Sequence, residues 1–80
     1  MEPIYTTAEE VFSGQIKLLD ETGNAFFKLD ISRVRVIVPS KCDEGIWQLS
    51  IRFSNASCCT IVVTNNVRVL ISEAMSFSKR

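Results

Sequence analysis

The clearest alternation of apolar and polar residues along the chain lies between residues 47 and 54. Every second position there is apolar and the positions between them are polar: Trp47, Leu49, Ile51 and Phe53 against Gln48, Ser50, Arg52 and Ser54. Successive side chains of a β-strand point to opposite faces of the sheet. The pattern therefore predicts a strand over residues 46–54 with one buried face and one solvated face.

A second apolar stretch surrounds the pair Asn65-Asn66. Residues 60–64 and 67–71 are rich in β-branched side chains, and asparagine tolerates the positive φ angles of a two-residue hairpin turn. The sequence thus predicts a hairpin with strands 58–64 and 67–72. Both faces of this hairpin are apolar near its middle, so one face needs a cover, which would be a helix, another sheet or another molecule.

The first half of the chain has a weaker pattern, which predicts strands over 12–19, 25–31 and 33–38. The apolar residues change parity between Ile31 and Val34, so the chain needs a bulge or a sharp corner near Ser32-Arg33. Residues 7–10 match the capping-box pattern at the start of a helix. Residues 8–13 are therefore either a short helical turn or the beginning of a strand.

Taken together, these elements predict an all-β fold. About six short strands would form a small antiparallel barrel or a two-layer sandwich, with at most one or two short helical turns. The 80 residues are 46% hydrophobic and 22% charged, which is typical of a globular protein. We expect a single small β domain over residues 1–80. Residues 1–7 are a segment that frays, and residues 73–80 are either a frayed end or one more helical turn.

Charge and cysteine content narrow the setting of the protein. Nine basic and nine acidic residues give a formal net charge of zero, which disfavours a dedicated nucleic-acid-binding domain and favours association between copies. The chain shows neither the pattern of a secretory signal nor an apolar run of membrane length. Three cysteines, two of them adjacent, do not form a disulfide framework, so we expect a cytoplasmic protein with no membrane partner.

The residues that usually carry catalysis are sparse. The chain has no histidine and its three glycines are far apart, which removes the commonest general base and every glycine-rich phosphate loop. The three cysteines lack the spacing of a zinc site, and the adjacent carboxylate pairs fall in predicted turns. We therefore predict no catalytic residue, no metal and no cofactor, and a protein that is not an enzyme.

The sequence favours a non-catalytic protein–protein interaction module that associates with itself, as a homodimer, or with a larger protein. The predicted interface residues are Ile61, Val63 and Leu70, on the second apolar face of the hairpin. One alternative is a small β-barrel that binds nucleic acid or another polyanion through the strand arginines, which bind phosphate and carboxylate groups well: Arg33, Arg35 and Arg52. Another is a small inhibitor or accessory protein of the kind that phages and plasmids encode.

Overall fold

The protein is built from six strands and one helix. The structure is a computed structural model that describes residues 3–12 and 14–78. Its strands form one sheet, and a single-turn 3₁₀ helix, here called the corner turn, separates the third strand from the fourth. The elements are β1 (Ile4–Phe12), β2 (Gln15–Asp20), β3 (Phe26–Asp30), the corner turn (Ile31–Arg33), β4 (Val34–Asp43), β5 (Ile46–Phe53), β6 (Cys58–Thr64) and α1 (Asn65–Ser78).

Two three-stranded meanders make up the sheet, whose strand order is β3-β2-β1-β6-β5-β4. Within each meander the neighbouring strands are antiparallel. The meanders join at a parallel seam between β1 and β6, where Ile4 lies beside Val62 and Tyr5 beside Val63. The sheet is therefore mixed rather than wholly antiparallel.

The sheet curls strongly because its two edge strands are consecutive along the chain. The three residues of the corner turn can span only roughly 10 Å, yet they connect β3 at one edge to β4 at the other. The backbone N–H of Ile31 donates to the carbonyl of Gly14 at 2.8 Å, and the N–H of Ser54 donates to the carbonyl of Arg33 at 2.8 Å. The predicted corner near Ser32-Arg33 is confirmed. Since β3 and β4 do not pair, the sheet is open and the predicted barrel is not closed.

One face of the sheet carries the core, and α1 lies over this face against β1, β5 and β6. The fully buried strand residues are Leu18, Leu29, Leu49, Ile51 and Val63, and the helix adds Val67 and Ile71. Cross-strand pairs such as Leu49–Ile61 place apolar side chains side by side on this face, which stabilises the sheet. We call this the core face and the opposite side of the sheet the outer face.

The predicted strand over residues 67–72 is wrong, because these residues belong to the 14-residue helix α1. Val67, Ile71 and Ala74 follow helical spacing and turn one side of α1 toward the core. Asn65 and Asn66 begin the helix instead of forming a hairpin turn, and the N–H of Asn65 donates to the carbonyl of Gly45 at 2.9 Å. The fold is mostly β, as predicted, but it is not all-β.

The N-terminal part of the chain also differs from the prediction. Residues 4–12 form a strand, whereas the sequence predicts fraying over residues 1–7 and either a helical turn or the beginning of a strand over residues 8–13. Residues 1, 2 and 13 lie outside the part of the chain that the structure describes. Gly14 has a φ of +83° in the turn between β1 and β2, where a residue without Cβ is favoured. This turn interrupts the predicted strand 12–19, so that Phe12 ends β1 and the residues from Gln15 onward belong to β2. At the other end, α1 continues to residue 78, into the segment predicted to be either a frayed end or one more helical turn.

Residues 39–45, which separate the predicted strands 33–38 and 46–54, are mostly strand. β4 continues through Pro39 to Asp43, and only residues 44–45 form the turn that leads into β5. Proline is tolerated there because β4 is an edge strand, where its missing N–H can face solvent. The long β4 extends the outer face toward the β4–β5 turn.

Candidate functional site

The three predicted interface residues do not share a surface. Ile61 and Val63 are 6% and 0% exposed and lie in the core, on the side of the sheet that α1 covers. Leu70 lies on α1, is 44% exposed, and lines a cleft of about 490 Å³ together with Glu10 and Glu73. The apolar face of β6, for which the sequence analysis required a cover, is thus covered by α1 of the same chain. Ile61 and Val63 are therefore not accessible to a partner in the folded protein.

The outer face of the second meander is open and carries almost no charge. We call its middle part the low-charge face and define it by nine outward side chains that lie between the two bulges of β4 and that the strand register aligns in rows: Val36, Val38, Ser40, Gln48, Ser50, Arg52, Cys58, Thr60 and Val62. All of them are exposed except the half-buried Val62. Arg52 is the single charged residue of the set. Since α1 lies on the core face, no described residue of the chain covers this surface.

The three predicted arginines gather at one end of the second meander. Arg52 pairs across the strands with Val36, and Arg35 is the extra residue of a bulge between Val34 and Val36. Arg33 lies in the corner turn just before β4, with its Nε 3.5 Å from an Oδ2 of Asp30. All three arginines are exposed. Within the part of the chain that the structure describes, neither Arg35 nor Arg52 forms an ion pair.

An acidic turn lies at the opposite end of the same meander. Asp43 ends β4 and Glu44 follows it in the turn to β5; the N–H of Glu44 donates to Oδ1 of Asp43 at 2.8 Å. Arg35 and Asp43 are eight residues apart on one strand, which is roughly 25 Å at the usual rise. The second meander therefore carries three arginines at one end and two carboxylates, next to Lys41, at the other, with few charges between them.

The three cysteines are free thiols that differ in exposure. Cys42 and Cys58 are exposed and Cys59 is half-buried. Burial, with a smaller contribution from the neighbouring Cys58, raises the pKa of the Cys59 thiol, which lowers its thiolate content and its reactivity. Over residues 3–12 and 14–78, no three or more cysteine or acidic side chains are placed to hold a metal ion.

Among the adjacent carboxylate pairs of the sequence, Asp20 is the residue whose carboxylate accepts several hydrogen bonds. Slight desolvation raises the pKa of its carboxyl, but hydrogen bonds from Thr22 and from the N–H groups of Ala25, Gly23 and Thr22 outweigh it and lower the pKa below its usual value. The Thr22 hydroxyl lies 2.9 Å and 3.1 Å from the two carboxylate oxygens. Asp20 thus orders the β2–β3 turn.

Replacing Thr22 with alanine should raise the pKa of Asp20, because one donor to its charged form is lost. The shift is measured by an NMR titration of the side-chain carboxyl carbon. A lowered native pKa stabilises the fold at neutral pH, and this contribution is lost as the pH falls through that pKa. The control is Ser32→Ala, which removes a hydroxyl from Asp30 instead and should not move Asp20. An unchanged Asp20 pKa in Thr22→Ala would mean that the hydroxyl does not hold the carboxylate.

A narrow groove separates β4 from α1 on the core side of the sheet. Its volume is about 200 Å³, and its lining is mostly apolar, with Arg68 as the one charged residue: Val36, Ile37, Pro39, Leu49, Arg68, Ile71, Ser72 and Met75. The guanidinium carbon of Arg68 lies 4.5 Å from the centre of the Trp47 ring. Its Nε and Nη2 donate to Oδ1 of Asn65 at 3.2 Å and 2.9 Å. Arg68 is thus held in place by two neighbours, neither of which carries a negative charge.

Sequence reasoning missed this groove because it placed Arg68 on a strand. The signal that was available is the helical spacing of Val67, Ile71 and Met75, which puts Arg68 beside the core-facing side of a helix. No described helix has the length and apolar character needed to cross a membrane. Comparisons of this chain with protein-family models, with curated proteins and with solved structures find no match.

Proposed function

We propose that this protein is a non-catalytic interaction module that associates with a second copy of itself through the low-charge face. The carrying observation is the open outer face of β4, β5 and β6, where Arg52 alone among the nine outward side chains is charged. Depletion of charge distinguishes the centre of protein interfaces from the rest of a protein surface. Two such faces stack with their strands nearly aligned and about 10 Å apart.

The distribution of charge along the strands favours a second copy as the partner. In a two-fold pair whose strands run in opposite directions, Arg35 and Arg52 of one copy face Asp43 and Glu44 of the other. Such an arrangement is self-complementary, as a two-fold interface must be, and it occurs twice in each pair. Opposite charges at an interface fix its register, so the ends of the strands would set how the two sheets align.

Association by the sheet edges is less favourable than association by the face. The edge strand β4 contains Pro39, which has no N–H to donate, and it carries Arg35 and Lys41. The other edge strand, β3, is only five residues long and contains Lys28. Proline, lysine and short length are the usual devices that prevent edge-to-edge pairing. The low-charge face has no such protection.

A charge exchange tests this proposal. Arg52→Glu should weaken the dimer by roughly tenfold or more in dissociation constant, since it places like charges together. The double variant Asp43→Arg with Glu44→Arg should weaken it similarly, and combining both sets should restore it. The measurement is sedimentation or light scattering over a range of protein concentrations, in reducing buffer and at two salt concentrations.

Val38→Glu provides a second test, because it places a charge at the centre of the low-charge face. The matched control is Val69→Glu, since Val69 is an exposed valine on the outside of α1. Circular dichroism establishes that both variants fold. A wild-type protein that stays monomeric at high concentration, or a dimer that Val69→Glu weakens as much as Val38→Glu does, would refute association through this face.

Polyanion binding is the second candidate, and the gathering of the three exposed arginines at one end of β4 supports it. Single-stranded nucleic acid also needs aromatic side chains on which bases stack. Phe26 is a strongly exposed aromatic residue, but it lies on the first meander, where Nζ of Lys17 lies 4.9 Å from the centre of its ring. An Arg35→Ala, Arg52→Ala variant that loses salt-dependent binding to oligonucleotides would favour this function. Absence of such binding by the wild type would end it.

A further inference from the structure

We propose that the groove between β4 and α1 binds a small carboxylate carried on an apolar chain, of the medium-chain fatty-acid type, with the carboxylate on Arg68. This site lies on the core side of the sheet and shares only Val36, at the sheet edge, with the low-charge face. It is therefore separate from the proposed self-association and does not depend on it.

The apolar part of the ligand is inferred from the lining and size of the groove. Leu49 and Ile71 are almost fully buried at its base, and Ile37 and Met75 add apolar surface on the two sides. A volume of about 200 Å³ equals roughly seven water molecules at about 30 Å³ each, so an unbranched chain of about seven heavy atoms fits. Burying such a chain is favourable in proportion to the apolar area that it covers.

The carboxylate is inferred from the charges at one end of the groove. Nε and Nη2 of Arg68 donate to Oδ1 of Asn65, whereas Nη1 has no hydrogen-bond partner among the described residues. In the β4–β5 register Lys41 pairs with Trp47, the residue on which Arg68 is stacked, so a second cation lies near the same end. An arginine that is already fixed in position loses little conformational entropy when it binds a carboxylate.

The helix strengthens this preference for an anion. Arg68 lies in the first turn of α1, and this turn contains no acidic residue. The N-terminal end of a helix carries partial positive charge, so a cation there is unfavourable and an anion is favourable. The groove thus combines an apolar floor with Arg68, a cation that forms no ion pair among the described residues although Asp43 and Glu44 lie in the nearby β4–β5 turn. An amphipathic carboxylate would satisfy both features.

The direction of the ligand follows from the order of these residues. Along α1, Arg68 comes near the start, Ile71 about one turn later and Met75 about two turns later. Along β4, Lys41 lies near the β4–β5 turn, and Ile37 lies four residues before Lys41. The helix begins beside the β4–β5 turn, because the N–H of Asn65 donates to the carbonyl of Gly45. On both α1 and β4 the groove residues therefore change from charged to apolar with increasing distance from this turn. The chain of the ligand therefore points away from the turn, toward Met75 and Ile37.

The test uses three probes with the same eight-carbon chain and different charges: octanoate, 1-octanol and octylammonium. Trp47 is the only tryptophan of the chain and stacks on Arg68, so its fluorescence reports binding at the charged end, and calorimetry gives the affinity. Octanoate should bind the wild-type protein and change the Trp47 emission. The alcohol should bind roughly tenfold more weakly or worse, because it lacks the charge-assisted hydrogen bonds to arginine, and octylammonium should not bind.

Arg68→Gln should reduce octanoate affinity to that of the alcohol, while the control Lys28→Gln, which removes an exposed cation from the edge strand β3, should leave it unchanged. If Arg68→Gln does not fold, the comparison of the three probes on the wild type still decides the question. Failure of octanoate to bind at millimolar concentration, equal binding of octanoate and octanol, or equal loss in Arg68→Gln and Lys28→Gln would each overturn the proposal.

Discussion

Replacing Ile71 with aspartate will leave the protein unfolded at room temperature, whereas the same replacement at its neighbour Leu70 will not. Ile71 is 1% exposed and belongs to the core, while Leu70 is 44% exposed. A carboxylate at the buried position has no partner there, and the cost of burying an unpaired charge is several kcal/mol. An 80-residue domain has a total stability of only about 4–12 kcal/mol, so this single change removes most of it.

The two variants are compared by far-UV circular dichroism and by urea unfolding. Leu70→Asp should lower the free energy of unfolding by only about 1 kcal/mol, because it loses partial burial and stands three residues before Glu73, where like charges repel. A folded Ile71→Asp protein would mean that α1 does not pack on the sheet as described.

Leu18→Ala is expected to have the second largest effect. Leu18 has no exposed surface and lies in the middle of β2, between Ala8 on β1 and Phe27 on β3. Truncating a fully buried leucine removes its burial and leaves a cavity, which together cost about 3–5 kcal/mol. The loss is measured as a shift in the midpoint of urea unfolding, with the slope of the transition unchanged.

Leu19 gives a matched control for this truncation. It is the next residue along the same strand, points to the outer face and is half-buried, so Leu19→Ala should cost about 1 kcal/mol. Equal losses in the two variants would mean that the core face and the outer face of β2 have been assigned incorrectly, or that the first meander is covered on both sides.

The strand β5 was predictable because its signal is local. Eight residues alternate without interruption, and the structure has a strand over Ile46–Phe53. The corner near Ser32-Arg33 was predictable for a similar reason, since the change in parity of the apolar residues has to occur somewhere between Ile31 and Val34. In both cases the pattern and the turn that interrupts it lie within a few residues of each other.

The helix was missed because local preference and tertiary context disagree. Val67, Val69 and Ile71 are β-branched and favour strands, and Asn65-Asn66 favours a hairpin turn. In the structure the neighbour of β6 is not the segment that follows it but β1, about sixty residues earlier in the chain. Because that edge of β6 is already paired with β1, the residues after β6 cannot pair there, and as a helix they bury their apolar side chains on the core face. Nothing local in residues 65–72 indicates this pairing.

The first strand and the candidate site were missed for related reasons. A register shift between Tyr5 and Thr7 interrupts the alternation that would have indicated β1. The arginines at the basic end were found because their strands were found. The contact between Arg68 and Trp47 was not, since it depends on the helix.

The seam between β1 and β6 has a consequence for the growing chain during its synthesis. The first meander is complete at Asp30, but the strand that pairs with β1 ends at Thr64, 34 residues later, and translation at about 5–20 residues per second takes roughly 2–7 seconds to add them. Throughout that interval the nascent chain presents one apolar face and one unpaired strand edge. The complete fold is thus reached only after β6 and α1 have been synthesised, and this interval is when the protein is most exposed to aggregation and most open to chaperones.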